Sequence, residues 1–257
     1  MRAELRFLFS LLTPPPTTEY RELKPARIQT TLQRLHQRIG ERFPESGLRK
    51  VAAELMQLGE EVAEQTGFFR QAILPIRLFV VFSVLILVTL SIAGVVYSAN
   101  MVSDEGANFA EFLQALEAGT NELIFLAIAL FFLVTLEGRV KRVAALRMLH
   151  RLRSIAHVID MHQLTKDPVY LIMPDGNTES SPDRPMTLFQ LTRYLDYCAE
   201  LLALVSKLAA LHAQHLDDPV VLEAVNEVET LAQGLSNKIW QKIMIMEGGV
   251  NLPKETV

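Results

Sequence analysis

The chain has 257 residues, half of them apolar, with 25 basic and 29 acidic side chains and a formal net charge of −4. This length suffices for one large domain or two small ones, and the apolar fraction alone does not require a membrane. Because the balance is slightly acidic and the basic residues concentrate near apolar segments, nucleic acid is not an expected partner.

Residues 1–16 form an apolar N-terminal segment that ends in a proline linker. Arg2 and Arg6 flank its start, and Pro14 begins the linker. The apolar run over residues 7–12 is too short for a signal peptide and lacks a small-residue cleavage site. Two interpretations remain open, an anchor in the membrane interface or a segment packed on the chain's own helices.

Residues 17–77 are predicted to form a cytoplasmic helical hairpin. Apolar residues recur there at helical spacing in two stripes, which are Ile28, Leu32, Leu35, Ile39 and Phe43, then Leu48, Val51, Leu55, Leu58 and Val62. Pro44 separates the stripes, and the second is typical of a coiled-coil seam. Gly67 and Pro75 are expected to interrupt the helix before the membrane.

Two segments have the composition of transmembrane helices. Residues 78–98 contain no charge and reach roughly 30 Å as a helix, which matches the hydrocarbon core. The second segment, residues 121–164, begins with a shorter uncharged run between Glu122 and Glu137. We predict that it crosses the membrane over residues 119–138 and continues as a basic cytoplasmic helix.

The distribution of basic residues predicts the orientation. Residues 99–120 form a loop without Lys or Arg, whereas basic residues precede the first apolar segment and follow the second. Both termini are therefore expected in the cytoplasm, in a multi-pass protein of the cell (inner or plasma) membrane. Within the loop, Asn108 is expected to cap a short amphipathic helix that ends before Gly119.

The basic helix after the second span is amphipathic. Ala144, Met148, Leu152, Ile155 and Ile159 share one face, and the opposite face carries Arg142, His150, Arg153, His157 and Asp160. Three roles are open for the charged face. The first is a solvated face whose early charges meet anionic lipid headgroups. The second is an interface with acidic surfaces elsewhere in the chain or in a neighbouring subunit, such as Glu60, Glu61 and Glu64. The third is the wall of a cytoplasmic vestibule around an oligomer axis.

Residues 165–185 are a predicted linker, residues 186–247 a second antiparallel helical hairpin, and residues 248–257 a tail that begins at Gly248. The first helix of this hairpin has a long seam that we assign to assembly, formed by Leu188, Leu191, Leu195, Leu202 and Val205. Asp218 is the expected N-cap of its second helix, with Pro219 at the first helical position. Cys198 is expected to be a packed thiol.

The sequence contains no motif for catalysis or for a cofactor, so we expect a protein that is not an enzyme and has no cofactor. His212 and His215, beside Asp217 and Asp218, have the best spacing for a metal, although a hairpin turn is normally polar without one. His150 and His157 are too far apart along one helix to share an ion.

The fold class is therefore an all-α integral membrane protein with two transmembrane helices and coiled-coil-like cytoplasmic hairpins on both sides of the span pair. Its favoured function is a non-enzymatic scaffold or adaptor that forms a homo-oligomer and docks a cytoplasmic protein partner. The alternative is a homo-oligomeric ion channel, with Glu122, Glu137 and the basic helix around the pore. The lipid bilayer is a partner in both.

Overall fold

The computed structural model describes residues 22–103, 109–168, 179 and 186–250, and within these ranges every regular element is a helix. The helices are α1 (Pro25–Arg42), α2 (Gly47–Arg70), α3 (Leu74–Ser103), α4 (Phe109–Leu164), α5 (Leu188–Ala213) and α6 (Pro219–Val250). The N-terminal segment 1–16, most of the linker 165–185 and the tail after residue 250 lie outside the described residues.

The chain divides into two compact units. The first, called here the bundle, consists of Met1–Gly67 and Leu146–Val257, and the second, called the apolar pair, is Phe68–Ala145. The bundle therefore contains α1, most of α2, the last part of α4, α5 and α6. The apolar pair contains α3 and the first part of α4.

The predicted stripes of α1 and α2 are confirmed as the buried faces of these helices. Ile28, Leu32, Leu35 and Ile39 are buried on α1, and all five apolar residues of the second stripe are buried on α2. The two helices meet where the Gln29 amide Nε2 donates to the Met56 carbonyl at 3.2 Å. Gly59 permits this approach, because a Cβ atom there would lie only 2.9 Å from Leu32 Cδ1.

The predicted interruption between Gly67 and Pro75 is confirmed, although it does not fall at Gly67 itself. The helix continues to Arg70, and the break falls at residues 71–73, immediately before α3. A single glycine costs a helix only about 1 kcal/mol relative to alanine, which the surrounding helical hydrogen bonds outweigh. Pro75 lies in the first turn of α3, where a missing amide hydrogen leaves no bond unmade.

α5 and α6 pack along each other, and both of their N-termini are capped. Thr187 and Gln190 form a capping box at α5, which the sequence analysis overlooked. The Asp218 carboxylate accepts the amide hydrogens of Val220 and Val221 at 3.0 and 3.2 Å, as expected of an N-cap. α6 continues through Gly248 to Val250, so the helix extends three residues beyond the predicted end of the hairpin at residue 247.

Among the described residues, two helices are long and apolar enough to cross a membrane, and no residue of either apolar window is buried. They are α3 and the first part of α4. α4 begins at Phe109 and is continuous through Gly119, so the predicted separate helix in the loop is wrong. The penalty of a single glycine, about 1 kcal/mol relative to alanine, is small beside the helical hydrogen bonds on either side of Gly119.

Candidate functional site

A cluster of charged side chains closes one end of the apolar pair, with Glu137 of α4 at its centre. Arg77 Nε donates to Glu137 Oε2 at 2.8 Å, and Lys141 Nζ lies 2.9 Å from Glu137 Oε1. The side chains of Glu137 and Lys141 are only 17% and 14% exposed, whereas Arg77 is 61% exposed. Charge-assisted bonds of this kind are stronger where water is largely excluded.

The same cluster holds the break between α2 and α3. Lys141 Nζ donates to the carbonyl oxygens of Phe69 at 3.1 Å and Gln71 at 2.9 Å. Glu137 Oε1 accepts the amide hydrogen of Ile73 at 3.3 Å. Backbone groups that the break removes from helical bonding are therefore satisfied by two side chains one turn apart on α4.

This geometry gives Glu137 a structural role that was not predicted from the sequence. The carboxylate, predicted as a residue of a pore or interface, has two cations and a backbone amide as partners. A pore-lining carboxylate must instead direct its charge toward passing ions. Lys141 is one helical turn from Glu137 and is a local signal. Arg77 is 60 residues from Glu137, so nothing local in the sequence indicates that pair.

Glu122 lies toward the opposite end of the apolar pair, beside Gly94 of α3. Its Oε1 atom is 3.8 Å from the position that a Cβ of Gly94 would occupy. The uncharged run continues to Ser103, which follows Gly94 by nine residues, or roughly 14 Å along a helix. Glu122 is therefore level with residues inside the apolar run of α3, although its side chain is exposed.

The other predicted pore or interface residues are divided between the two units. In the apolar pair Arg142 is half-buried. In the bundle His150 and His157 are exposed, and Arg153 forms an ion pair at 3.0 Å with Glu227 of α6. The structure therefore does not bring these six residues together around one site.

The hypothesis that the basic helix binds an acidic surface has direct support in the bundle. Arg151 of α4 makes a two-fold hydrogen-bonded ion pair with Glu61 of α2. The hydrogen bond from Arg151 holds the pKa of Glu61 below its ordinary value of 4.5, against the opposing effect of partial burial. The neighbouring ion pair between Arg153 and Glu227 connects α4 to α6. Arg151 and Arg153 of α4 thus bind acidic residues on other helices of the same chain.

Lys242 of α6 makes a further contact that the sequence did not reveal. Its Nζ atom donates to the carbonyl oxygen and to Oε1 of Gln163, at 2.9 and 2.7 Å. Gln163 Nε2 in turn donates to Asp160 Oδ1 at 2.6 Å. A cation at the C-terminal end of α4 complements the helix dipole and the last carbonyl groups. Partial burial nonetheless lowers the pKa of Lys242.

The residues of the predicted assembly seam lie in the interior of a single chain. Leu191, Leu195, Leu202 and Val205 are buried, and Leu188 is half-buried. Cys198 lies among them as the packed thiol expected, and burial raises its pKa. A seam that is already covered within one chain is not an exposed surface for a second copy.

His212 and His215, the candidate metal ligands, lie in different environments. His212 is completely buried on α5, whereas His215 is half-buried and lines a cavity of about 590 Å³ with Asp217. Within the ranges that the structure describes, no three His, Cys, Asp or Glu side chains are grouped so that they could hold a metal ion. The metal hypothesis therefore gains no support from this geometry.

Comparisons with known proteins place the chain in no established class, since no family model, no curated protein and no solved structure matches it.

Proposed function

We propose that this chain is a non-enzymatic two-span membrane protein whose cytoplasmic bundle acts as a scaffold or adaptor. The main support for membrane insertion is the difference in apolar exposure between the bundle and the apolar pair. The bundle buries its apolar stripes, whereas the apolar pair exposes large residues along both helices, with Phe82 64%, Leu90 64% and Phe125 71% exposed. Exposed apolar surface of this extent is stable in lipid and unfavourable in water.

The charge cluster supports the position of one membrane boundary. Arg77, Glu137 and Lys141 mark the points where the apolar runs of α3 and α4 begin and end. Charged groups that bind one another and the backbone are suited to the zone where lipid headgroups replace hydrocarbon. The basic residues on this side put it in the cytoplasm under the positive-inside rule.

The orientation can be tested by cysteine labelling, because the natural sequence has a single cysteine, Cys198, and it is buried. We would compare Ala118→Cys with Gln33→Cys, both at exposed positions, using a membrane-impermeant maleimide. Labelling of Ala118→Cys in intact cells, and of Gln33→Cys only after permeabilisation, would support the proposed topology. The reverse pattern would contradict it.

The adaptor part is supported by an exposed apolar surface on α6. Trp240 and Met244 are one helical turn apart and are 54% and 64% exposed, and the adjacent Ile245 is 48% exposed. Aromatic residues and methionine are enriched where proteins bind other proteins. Replacing Trp240 with Ala should abolish crosslinking to a cytoplasmic partner, while Lys238→Ala on the same helix should not. Equal crosslinking by both variants would refute a role for this surface.

Self-assembly is a separate part of the proposal, and it requires surfaces other than the seam of α5. We would count subunits of the detergent-solubilised protein by mass photometry. A homo-oligomer that survives replacement of Trp240 would assign assembly to the membrane helices. A monomer at all concentrations would remove both self-assembly and the channel alternative.

The channel alternative is favoured by one observation, the position of Glu122. A carboxylate level with the apolar run of a neighbouring helix is costly in lipid, and such residues commonly face ion pathways or other polar groups. If the oligomer conducts cations past Glu122, Glu122→Gln should change ion selectivity in liposomes. Glu117→Gln, an exposed carboxylate on the same helix, is the matched control. Unchanged ion selectivity in Glu122→Gln would remove Glu122 from any pore, and the absence of ion flux through the wild type would eliminate the channel.

A further inference from the structure

The end of the apolar pair that contains Glu137 has an excess of positive charge. Residues 68–77 and 137–145 contain five basic residues and one acidic residue, which leaves a formal charge of +4. The basic residues are Arg70, Arg77, Arg139, Lys141 and Arg142. Since Glu137 binds Arg77 and Lys141, its negative charge is already engaged within the cluster.

Arg139 differs from its basic neighbours in how it is held. Its guanidinium carbon lies 5.0 Å from the centre of the Phe132 ring. Phe132 precedes it by two helical turns, so the side chain extends back along α4 toward the apolar run, the direction in which helical side chains tilt. Stacking on an aromatic ring restricts the guanidinium and leaves its edge donors available.

The surroundings of this stack are apolar and exposed. Phe132 is 51% exposed, and its neighbours Phe131 and Val134 are 66% and 71% exposed. A cationic group fixed at the edge of such a surface has the chemistry of a site for an amphiphile with an anionic head. The guanidinium can bind two phosphate oxygens at once, and the acyl chains can lie against the exposed ring.

We infer that Arg139 and Phe132 form a binding site for an anionic phospholipid, with the lipid phosphate on the guanidinium. The inference rests on the proposed membrane insertion. An acidic peptide would satisfy the charge of Arg139 but would leave the apolar surface around Phe132 exposed to water. A free phosphate ion shares the headgroup chemistry and is distinguished by the experiment.

The test uses the full chain purified in detergent and measures by native mass spectrometry how much phosphatidylglycerol or phosphatidylcholine remains bound. The wild type should retain phosphatidylglycerol preferentially. Arg139→Lys keeps the charge and removes the two-fold phosphate contact and most of the stacking, so it should lower this preference about three- to tenfold. Phe132→Leu, which removes only the ring, should lower it in the same direction.

Arg70→Lys is the matched control, because it makes the same exchange at an exposed arginine of the same end. It should change the preference by less than about twofold, since diffuse attraction depends on charge and not on the shape of the cation. Equal effects of Arg139→Lys and Arg70→Lys, or no effect of either, would overturn the site. Displacement of the lipid by inorganic phosphate would assign the site to the free ion and overturn the lipid proposal.

Extraction of native membranes with alkaline carbonate separates this inference from the proposed function. Release of the wild type into the supernatant would overturn membrane insertion and the lipid site together. Retention in the membrane without any preference for phosphatidylglycerol would overturn the lipid site and leave the two-span proposal intact.

Discussion

Replacement of Glu137 by Gln should loosen the break between α2 and α3. Glutamine keeps the size of the side chain and an acceptor oxygen, but it removes the charge that Arg77 and Lys141 share. Hydrogen bonds to charged groups contribute about 1.5–3 kcal/mol each. Arg77 is 61% exposed, so its share is small. Lys141 keeps two carbonyl partners, and we expect a net local loss of about 1–2 kcal/mol.

Hydrogen exchange read by mass spectrometry measures this loss directly. The Ile73 amide hydrogen is donated to Glu137 and exchanges when the cluster opens. A loss of about 1–2 kcal/mol corresponds to exchange roughly 5- to 30-fold faster for a peptide covering residues 71–77. Glu122→Gln makes the same chemical change elsewhere on α4 and should leave this peptide unchanged. Identical exchange in the two variants would refute the reasoning.

The remaining predictions concern the bundle. Burial, with Lys166 nearby, lowers the pKa of His162 below 6.5. The contribution of His162 to stability should therefore be fully present above pH 6.5 and should fall as the pH drops through the folded-state pKa. The melting temperature of His162→Gln should lose this pH dependence, and an unchanged pH dependence in the variant would refute the prediction. Gly67→Ala should stabilise the protein by about 0.5–1 kcal/mol, because nothing lies within 4 Å of an added Cβ. Gly59→Ala should be less stable than Gly67→Ala by about 1–3 kcal/mol owing to contact with Leu32, and equal melting temperatures would contradict this. Leu195→Ala, at a completely buried position, should lower the free energy of unfolding in denaturant by about 2–5 kcal/mol. The same truncation at exposed Leu222 should lower it far less. Similar losses in the two variants would show that the core is misassigned.

The positions and buried faces of the helices could be predicted from the sequence because the relevant information is local. An uncharged run that includes residues 78–98 indicates an apolar helix, and a stripe such as Ile28 to Ile39 specifies its own buried face. The N-cap at Asp218 is likewise decided within one turn. Glycine was a poor predictor of helix ends, since α2 and α4 continue through Gly67 and Gly119. Its helical penalty is small beside the hydrogen bonds of the whole helix.

The tertiary structure alone decided which charges neutralise one another and which apolar seams are covered. The partners of Glu137, Arg151 and Lys242 are 60 to 90 residues away along the chain, apart from Lys141 on the next turn. No periodic pattern encodes such distant pairs. The seam through Leu195 has the same pattern whether it binds a second copy or the chain's own helices, because burial of apolar area is not directional. Only the packed bundle shows that one chain covers it.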